Sequence, residues 1–247
     1  MIADPAADPA TPVLPPTGDT ADRPGAFYGR RKGRPLRLGQ GRVIDENLPA
    51  LAVDLTKPAP VAIADLFGRS VSRVYMESGF GGGEHLLSML ETDADLGVIG
   101  AEPFVNGMAK LLMRVEEAGF GDRLRLHAAD SVPLLDWLPD ACLDRFYLLY
   151  PDPWPKTRHW KRRFVQLDTL DRIARVLKPG AEFRYASDWA NYVDWTLEHV
   201  LAHPAFRWTA TTSADWHRPW DGWHSTRYEQ KALREGRTPA YFRFERL

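Results

Sequence analysis

The sequence predicts a doubly wound α/β fold: a mostly parallel sheet with an antiparallel strand near its C-terminal end. Three observations carry this. From about residue 62, short apolar runs alternate with helical stretches, the pattern of parallel strands joined by right-handed crossovers. A glycine-rich turn follows the first of those runs, at the edge where open parallel sheets bind ligands. Two late strand-like stretches, Arg207–Thr212 and Ala240–Arg246, break the alternation and suit antiparallel pairing.

The elements follow in order. Val71–Glu77 reads as a strand, Glu84–Glu91 as a helix and Leu96–Glu102 as a strand. Asn106–Ala118 is helical, Leu124–Ala128 a strand and Val132–Leu138 a short helix. Asp144–Tyr150 is a strongly apolar strand, as a strand covered on both faces should be. Phe164–Leu177 is a helix stopped by Lys178-Pro179-Gly180. Glu182–Ser187 is the next strand and Trp189–Leu201 the next helix.

Composition sets the bounds. The 247 residues are enough for one domain with a full core; 44% are hydrophobic and 26% charged. With a net charge of −1, any nucleic-acid partner must be held by local patches rather than by a bulk field. The single cysteine, Cys142, excludes an internal disulfide and a thiolate metal cluster. No apolar run is long enough to span a bilayer, and the N-terminus lacks the pattern of a secretory signal. A cytoplasmic protein is expected. Residues 1–24, rich in Pro and Ala, are too poor in large apolar groups to offset their ordering entropy and are expected to be disordered. Residues 25–60 form a basic arm with Arg30, Arg31, Lys32, Arg34, Arg37 and Arg42, interleaved with Phe27 and Tyr28. Residues 61–247 form the α/β domain.

Ligand chemistry is expected at the strand ends. Glu77-Ser78-Gly79-Phe80-Gly81 closes the first strand, and Gly79 and Gly81 permit a sharp turn with backbone N–H groups near a ligand. A dinucleotide fingerprint would place a third glycine where Glu84 stands, so a pyrophosphate is disfavoured. Glu102, at the second strand tip, either accepts ribose hydroxyls or sits at a helix N-terminus for electrostatic reasons. Asp130, after the third strand, either meets an adenine edge or caps the following helix.

The fourth strand ends in the most informative stretch, Tyr150-Pro151-Asp152-Pro153-Trp154-Pro155-Lys156. Prolines fix their own φ and push the preceding residue into extended geometry, so Asp152 and Trp154 sit in a stiff loop. A rigid acid and a flat indole suit a planar base, and the cations of Arg158, His159, Lys161, Arg162 and Arg163 suit phosphates. A proline-rich turn beside a solvated charge run is the plainer alternative.

These residues resemble the bacterial tRNA (guanine-N7)-methyltransferases, a branch of the S-adenosylmethionine-dependent class I methyltransferases with a Rossmann-like sheet. The resemblance runs from about Phe27 to Leu247. It rests on the Asp152 block, on Ser187-Asp188-Trp189-Ala190-Asn191-Tyr192, and on Thr226-Arg227-Tyr228-Glu229-Gln230-Lys231-Ala232 with Phe242-Arg243-Phe244-Glu245-Arg246. Ser78, Ala101 and Ser187 depart from the residues common in the family, but the acids and glycines are kept. The resemblance implies S-adenosyl-L-methionine as cofactor, tRNA as partner and the variable-loop guanosine at position 46 as target. It implies that Glu77, Gly79, Gly81, Glu102, Asp130 and Asp152 meet the cofactor, with Asp152 also catalytic. Lys156, Asp188, Thr226, Arg227, Tyr228 and Glu229 match substrate-contacting positions, and Arg158–Arg163 the RNA-facing surface. No metal, no membrane and no obligate protein partner are expected, and the chain is expected to be a monomer or homodimer.

Other readings are a class I methyltransferase acting on another RNA, a protein or a small molecule, a nicotinamide oxidoreductase, and a non-catalytic tRNA-binding module. The basic run beside Asp152, the Glu84 departure and the acids at all four strand tips oppose them in different ways. Trp208, Trp216, Trp220 and Trp223 either stack bases or pack on the sheet. His85 and His159 lie within reach of ligands, and His127 reads as structural.

Overall fold

The computed structural model describes Gly29 and residues 31–247. The N-terminal tail and Phe27, Tyr28 and Arg30 of the basic stretch lie outside these described residues. Seven strands form one sheet: β1 (Arg73–Ser78), β2 (Leu96–Ala101), β3 (Leu124–His127), β4 (Leu143–Leu149), β5 (Leu177–Ser187), β6 (Phe206–Trp208) and β7 (Ala240–Arg246). Their order is β3-β2-β1-β4-β5-β7-β6. The first five run parallel, and β7 enters antiparallel between β5 and β6. The chain reverses its direction of winding between β1 and β4, which opens the crevice where doubly wound sheets hold ligands.

Helices cover both faces, because successive residues of a strand point to opposite sides. Met76, Ile99, Phe146, Leu148, Phe183 and Tyr185 belong to one core layer, packed with α4 (Ser131–Trp137), α5 (Leu167–Val176) and α6 (Ala190–Ala202). Tyr75, Val98, Tyr147 and Leu149 belong to the other, packed with α2 (Glu84–Thr92) and α3 (Val105–Ala118). Cys142 is buried in the first layer, and burial pushes its thiol up to about 12.

Several segments differ from expectation. The strand expected over Arg207–Thr212 is the three residues Phe206–Trp208, because the chain turns away after Thr209 N–H bonds Arg243 O. Two other differences are larger. Leu38–Leu51, counted with the arm, is a helix, α1, lying against α3. Gly39, Gly41 and Pro49 lower its helical propensity, and packing of Val43 and Leu51 with an Arg42–Glu116 ion pair holds it instead. The turn signal Lys178-Pro179-Gly180 does not end the helix before β5 but lies inside β5. Leu177 pairs with Leu143, the register then slips, and Glu182 pairs with Arg145, so the intervening residues bulge.

Candidate active site

The parallel strands end together at a cavity of about 420 Å³. Its walls include Ser78 and Gly79 from β1, Ala101 and Glu102 from β2, Asp130 and Ser131 beyond β3, and Leu148 through Asp152 from β4. Gly79 (φ +72°) and Gly81 (φ +58°) make the turn into α2, a backbone shape that side chains resist. The Gly79 N–H donates to Ala101 O at 2.8 Å, tying the two strand tips.

Glu102 is 7% exposed, and both its oxygens are held by backbone. Gly81 N–H donates to Oε2 at 2.6 Å and Phe104 N–H to Oε1 at 2.8 Å. Burial pushes its carboxyl up to about 7 against the pull of those two donors. Each oxygen keeps a lone pair, enough to accept from a pair of vicinal hydroxyls. Asp130 is the helix cap and also stands on the cavity wall. Its Oδ1 accepts from Val132 N–H at 2.8 Å, capping α4, while the residue lines the cavity.

Glu77 does not join them. Ser78 lines the cavity, so the preceding residue points to the opposite face of the sheet. The Glu77 carboxylate lies there against His85, Oε2 to Nδ1 at 2.9 Å, and the His85 ring packs on Tyr147 and Trp223. Both residues are buried, and Glu77 is not among the residues that line the cavity; it supports the turn from beneath.

Gly107 of α3 was not singled out by sequence. A Cβ there would lie 2.2 Å from the Gly81 carbonyl oxygen, so only glycine lets α3 pack on the turn. Gly107→Ala is expected to displace the turn and the Gly81–Glu102 bond. A titration of nucleoside ligands should show affinity falling by at least about tenfold, the loss of one charge-assisted hydrogen bond.

Asp152 stands at the cavity mouth between two residues in the left-handed region, Tyr150 (φ +50°) and Trp154 (φ +43°). Both precede prolines and by sequence are expected to be extended. Non-glycine residues hold left-handed angles only where the surroundings impose them, so the fold overrides the local preference here. Tyr150 N–H donates to Ala186 O at 2.7 Å, tying the start of the loop to β5. Loss of solvation raises the Asp152 carboxyl above its ordinary value. The Trp154 ring carries the Arg162 guanidinium 5.1 Å from its centre, and the His159 ring meets it edge-on.

The basic run does not form one surface. Lys156, Arg158 and Lys161 are exposed, His159 and Arg162 half-buried. Arg163, grouped by sequence with the RNA-facing cations, is 2% exposed and points inward. Trp160, Tyr192 and Trp195 surround its guanidinium at 4.8–5.1 Å. Its Nε donates to Pro153 O at 3.1 Å and its Nη2 to Asn191 Oδ1 at 2.6 Å. Buried among these partners, it braces the Asp152 loop from within rather than presenting its charge at the surface.

The C-terminal block forms the opposite wall. After the short α7 (Ala214–His217), Thr226 caps α8 (Arg227–Arg234) by accepting from Glu229 N–H at 3.2 Å. Glu229 is buried and accepts from Trp223 Nε1–H at 2.9 Å and from the Tyr241 hydroxyl. Asp188 pairs with Arg237. Both acids therefore order the wall itself, while Tyr228 lines the cavity. The four tail tryptophans pack inward: Trp208 and Trp216 on Phe242, Trp220 and Trp223 on Tyr241.

A parallel sheet that reverses its winding at a glycine turn, with carboxylates at successive strand ends, is a Rossmann-like arrangement. The family described as "Putative methyltransferase" matches residues 72–241. Among solved structures, an antibiotic-related methyltransferase superposes with a TM-score of 0.51 at 16% identity, over 79% of this chain and 99% of that one. TrmN from Thermus thermophilus gives a TM-score of 0.50 at 15% identity, over 75% and 48%. At such identities the likeness is one of fold.

Sequence relatives are more specific. The tRNA (guanine-N(7)-)-methyltransferase of Mesorhizobium japonicum is 55% identical over 229 residues, 91% of this chain and 98% of that protein. That of Rhizobium meliloti is 53% identical over 221 residues, 90% and 95%. The chain belongs to the tRNA (guanine-N(7)-)-methyltransferase family.

Proposed function

We propose that this protein methylates N7 of guanosine 46 in the variable loop of tRNA, with S-adenosyl-L-methionine as donor. The observation that carries the reading is Asp152, fixed in a strained loop at the mouth of a cavity whose inner wall holds Glu102 and Asp130. The donor set fits an adenosyl cofactor: Glu102 offers two anchored acceptors for a ribose, and the cavity has the size of a small-molecule site. When bound, the cofactor supplies an electrophilic methyl on a sulfonium.

The protein's own task is alignment. Guanine N7 carries an in-plane lone pair and needs no strong base, so most of the rate comes from holding the base in line and excluding water. Asp152 accepts from the guanine N1–H and N2–H₂ edge, which adenine does not present. Its charge also favours the purine as positive charge arrives there. Trp154 and Arg162 offer flat faces for a base, and Lys156, Arg158 and Lys161 an exposed cationic rim for phosphates.

Among the described residues no helix is long and apolar enough to cross a membrane. We place the enzyme in the cytoplasm with its tRNA, as a monomer or homodimer.

Transfer of labelled methyl to an unmodified tRNA transcript, followed by nucleoside identification, tests the reading. Label in 7-methylguanosine at position 46 is the expected result, and a variant transcript with adenosine at that position should take up none. Cofactor binding without transfer to any tRNA would overturn the acceptor.

Glu102 makes cofactor binding pH-dependent. Its carboxyl sits at about 7, above its ordinary 4.5, so between those values the folded protein holds a proton the unfolded chain has lost. Stability contributed by this group is present below about 4.5 and is lost as pH rises through about 7. Ribose hydroxyls donate to the ionised form, so affinity should rise with pH across the same window, with proton release. Calorimetry in buffers of different ionisation enthalpy reads that proton, and Glu102→Gln should abolish it.

A further inference from the structure

The Thr226–Glu229 block matches positions that contact the nucleic-acid substrate, yet Arg227 faces another way. Its guanidinium lies against the glycine turn, with Nη2 3.0 Å from where a Cβ of Gly81 would stand. Its Nε is buried without a hydrogen-bond partner, and a donor taken from water and left unpaired is costly. Its Nη2 makes only a long bond, 3.3 Å, to the Tyr228 hydroxyl. Its charge reaches inward, since it counters part of the upward push on Glu102. As the first residue of α8 it also sits at the positive end of a helix dipole.

The cavity has the opposite need. Its carboxylates, Glu102, Asp130 and Asp152, suit the hydroxyls, the amines and the cationic sulfur of a methyl donor. None of them suits the α-carboxylate of an aminoacyl end. With the ribose at the β2 tip and the reacting centre at the β4 tip, the aminoacyl end lies over β1, the strand between them. The β1 turn is where the Arg227 fork stands, and planar two-point pairing with a carboxylate is the strongest use of such a fork.

We propose that Arg227 binds the α-carboxylate of the methyl donor, so that α8 holds cofactor as well as tRNA. This rests on the donor assignment made above. Binding of two ligands tests it by calorimetry: S-adenosylhomocysteine, and its decarboxylated form, which keeps the amino group.

Arg227→Ala is expected to weaken S-adenosylhomocysteine by roughly ten- to hundredfold, the worth of a hydrogen-bonded charge, and the decarboxylated ligand by less than about twofold. Arg227→Lys should recover part of the loss, and both variants should unfold at the wild-type temperature. Equal losses on both ligands, or no loss on either, overturn the assignment. Weakened tRNA binding with unaltered S-adenosylhomocysteine binding overturns it in favour of a phosphate contact. If the wild-type protein binds neither ligand, the donor assignment itself fails.

Discussion

Asp152→Ala is expected to lower the single-turnover rate of methyl transfer by roughly 10²–10³-fold, the cost of deleting one preorganised polar group at a reacting centre. S-adenosylhomocysteine should bind with an affinity within a few-fold of wild type, because the proposed ribose and adenine contacts, Glu102 and Asp130, lie at the ends of β2 and β3. Asp152→Asn separates two contributions. It keeps the shape and removes the charge, and its amide offers one acceptor to a base edge that presents only donors. It should therefore fall between wild type and alanine, and it should lose discrimination between guanine and inosine, which lacks the 2-amino group. Unchanged turnover in either variant would remove Asp152 from the chemistry.

The second large effect is structural. Arg163→Ala removes a buried guanidinium from a cage of three aromatic rings and strands the Pro153 carbonyl and the Asn191 amide. Cavity formation together with lost polar partners should cost about 3–4 kcal/mol. For a domain of this size the unfolding temperature should fall by roughly 6–16 °C. Arg163→Lys should rescue little, since an ammonium neither stacks on Trp160 nor spans both acceptors. A solvent-exposed RNA contact predicts the reverse: normal stability with weakened, salt-sensitive tRNA binding.

Arg163 also shows where sequence reading stops. The strands, their order of alternation and the acids Glu102, Asp130 and Asp152 were legible, because period and strand-end position are local properties. Arg163 ends a basic run and reads as surface. Only Tyr192 and Trp195, about 30 residues away in the chain, turn it inward. Glu77 and Ser78 are neighbours in sequence, and which of them faces the cavity depends on the register of β1 between β2 and β4. The helix α1 is unreadable for a similar reason, since α3 stabilises what Gly39, Gly41 and Pro49 disfavour. The helix α8 did carry a signal, the Thr226-x-x-Glu229 spacing of an N-terminal cap.

The position of β7 has a consequence for biosynthesis. It pairs with β5 on one side and β6 on the other, although its residues, Ala240–Arg246, follow all the other strands among the described residues. Its Tyr241 donates to Glu229, so the α8 wall of the cavity is anchored by a segment translated after all five parallel strands. A ribosome-bound chain can therefore assemble the parallel strands and still lack a closed site. Modification of tRNA should begin only after this strand clears the exit tunnel, and a premature stop ahead of Ala240 should yield a sheet with an open edge, prone to pairing with other chains.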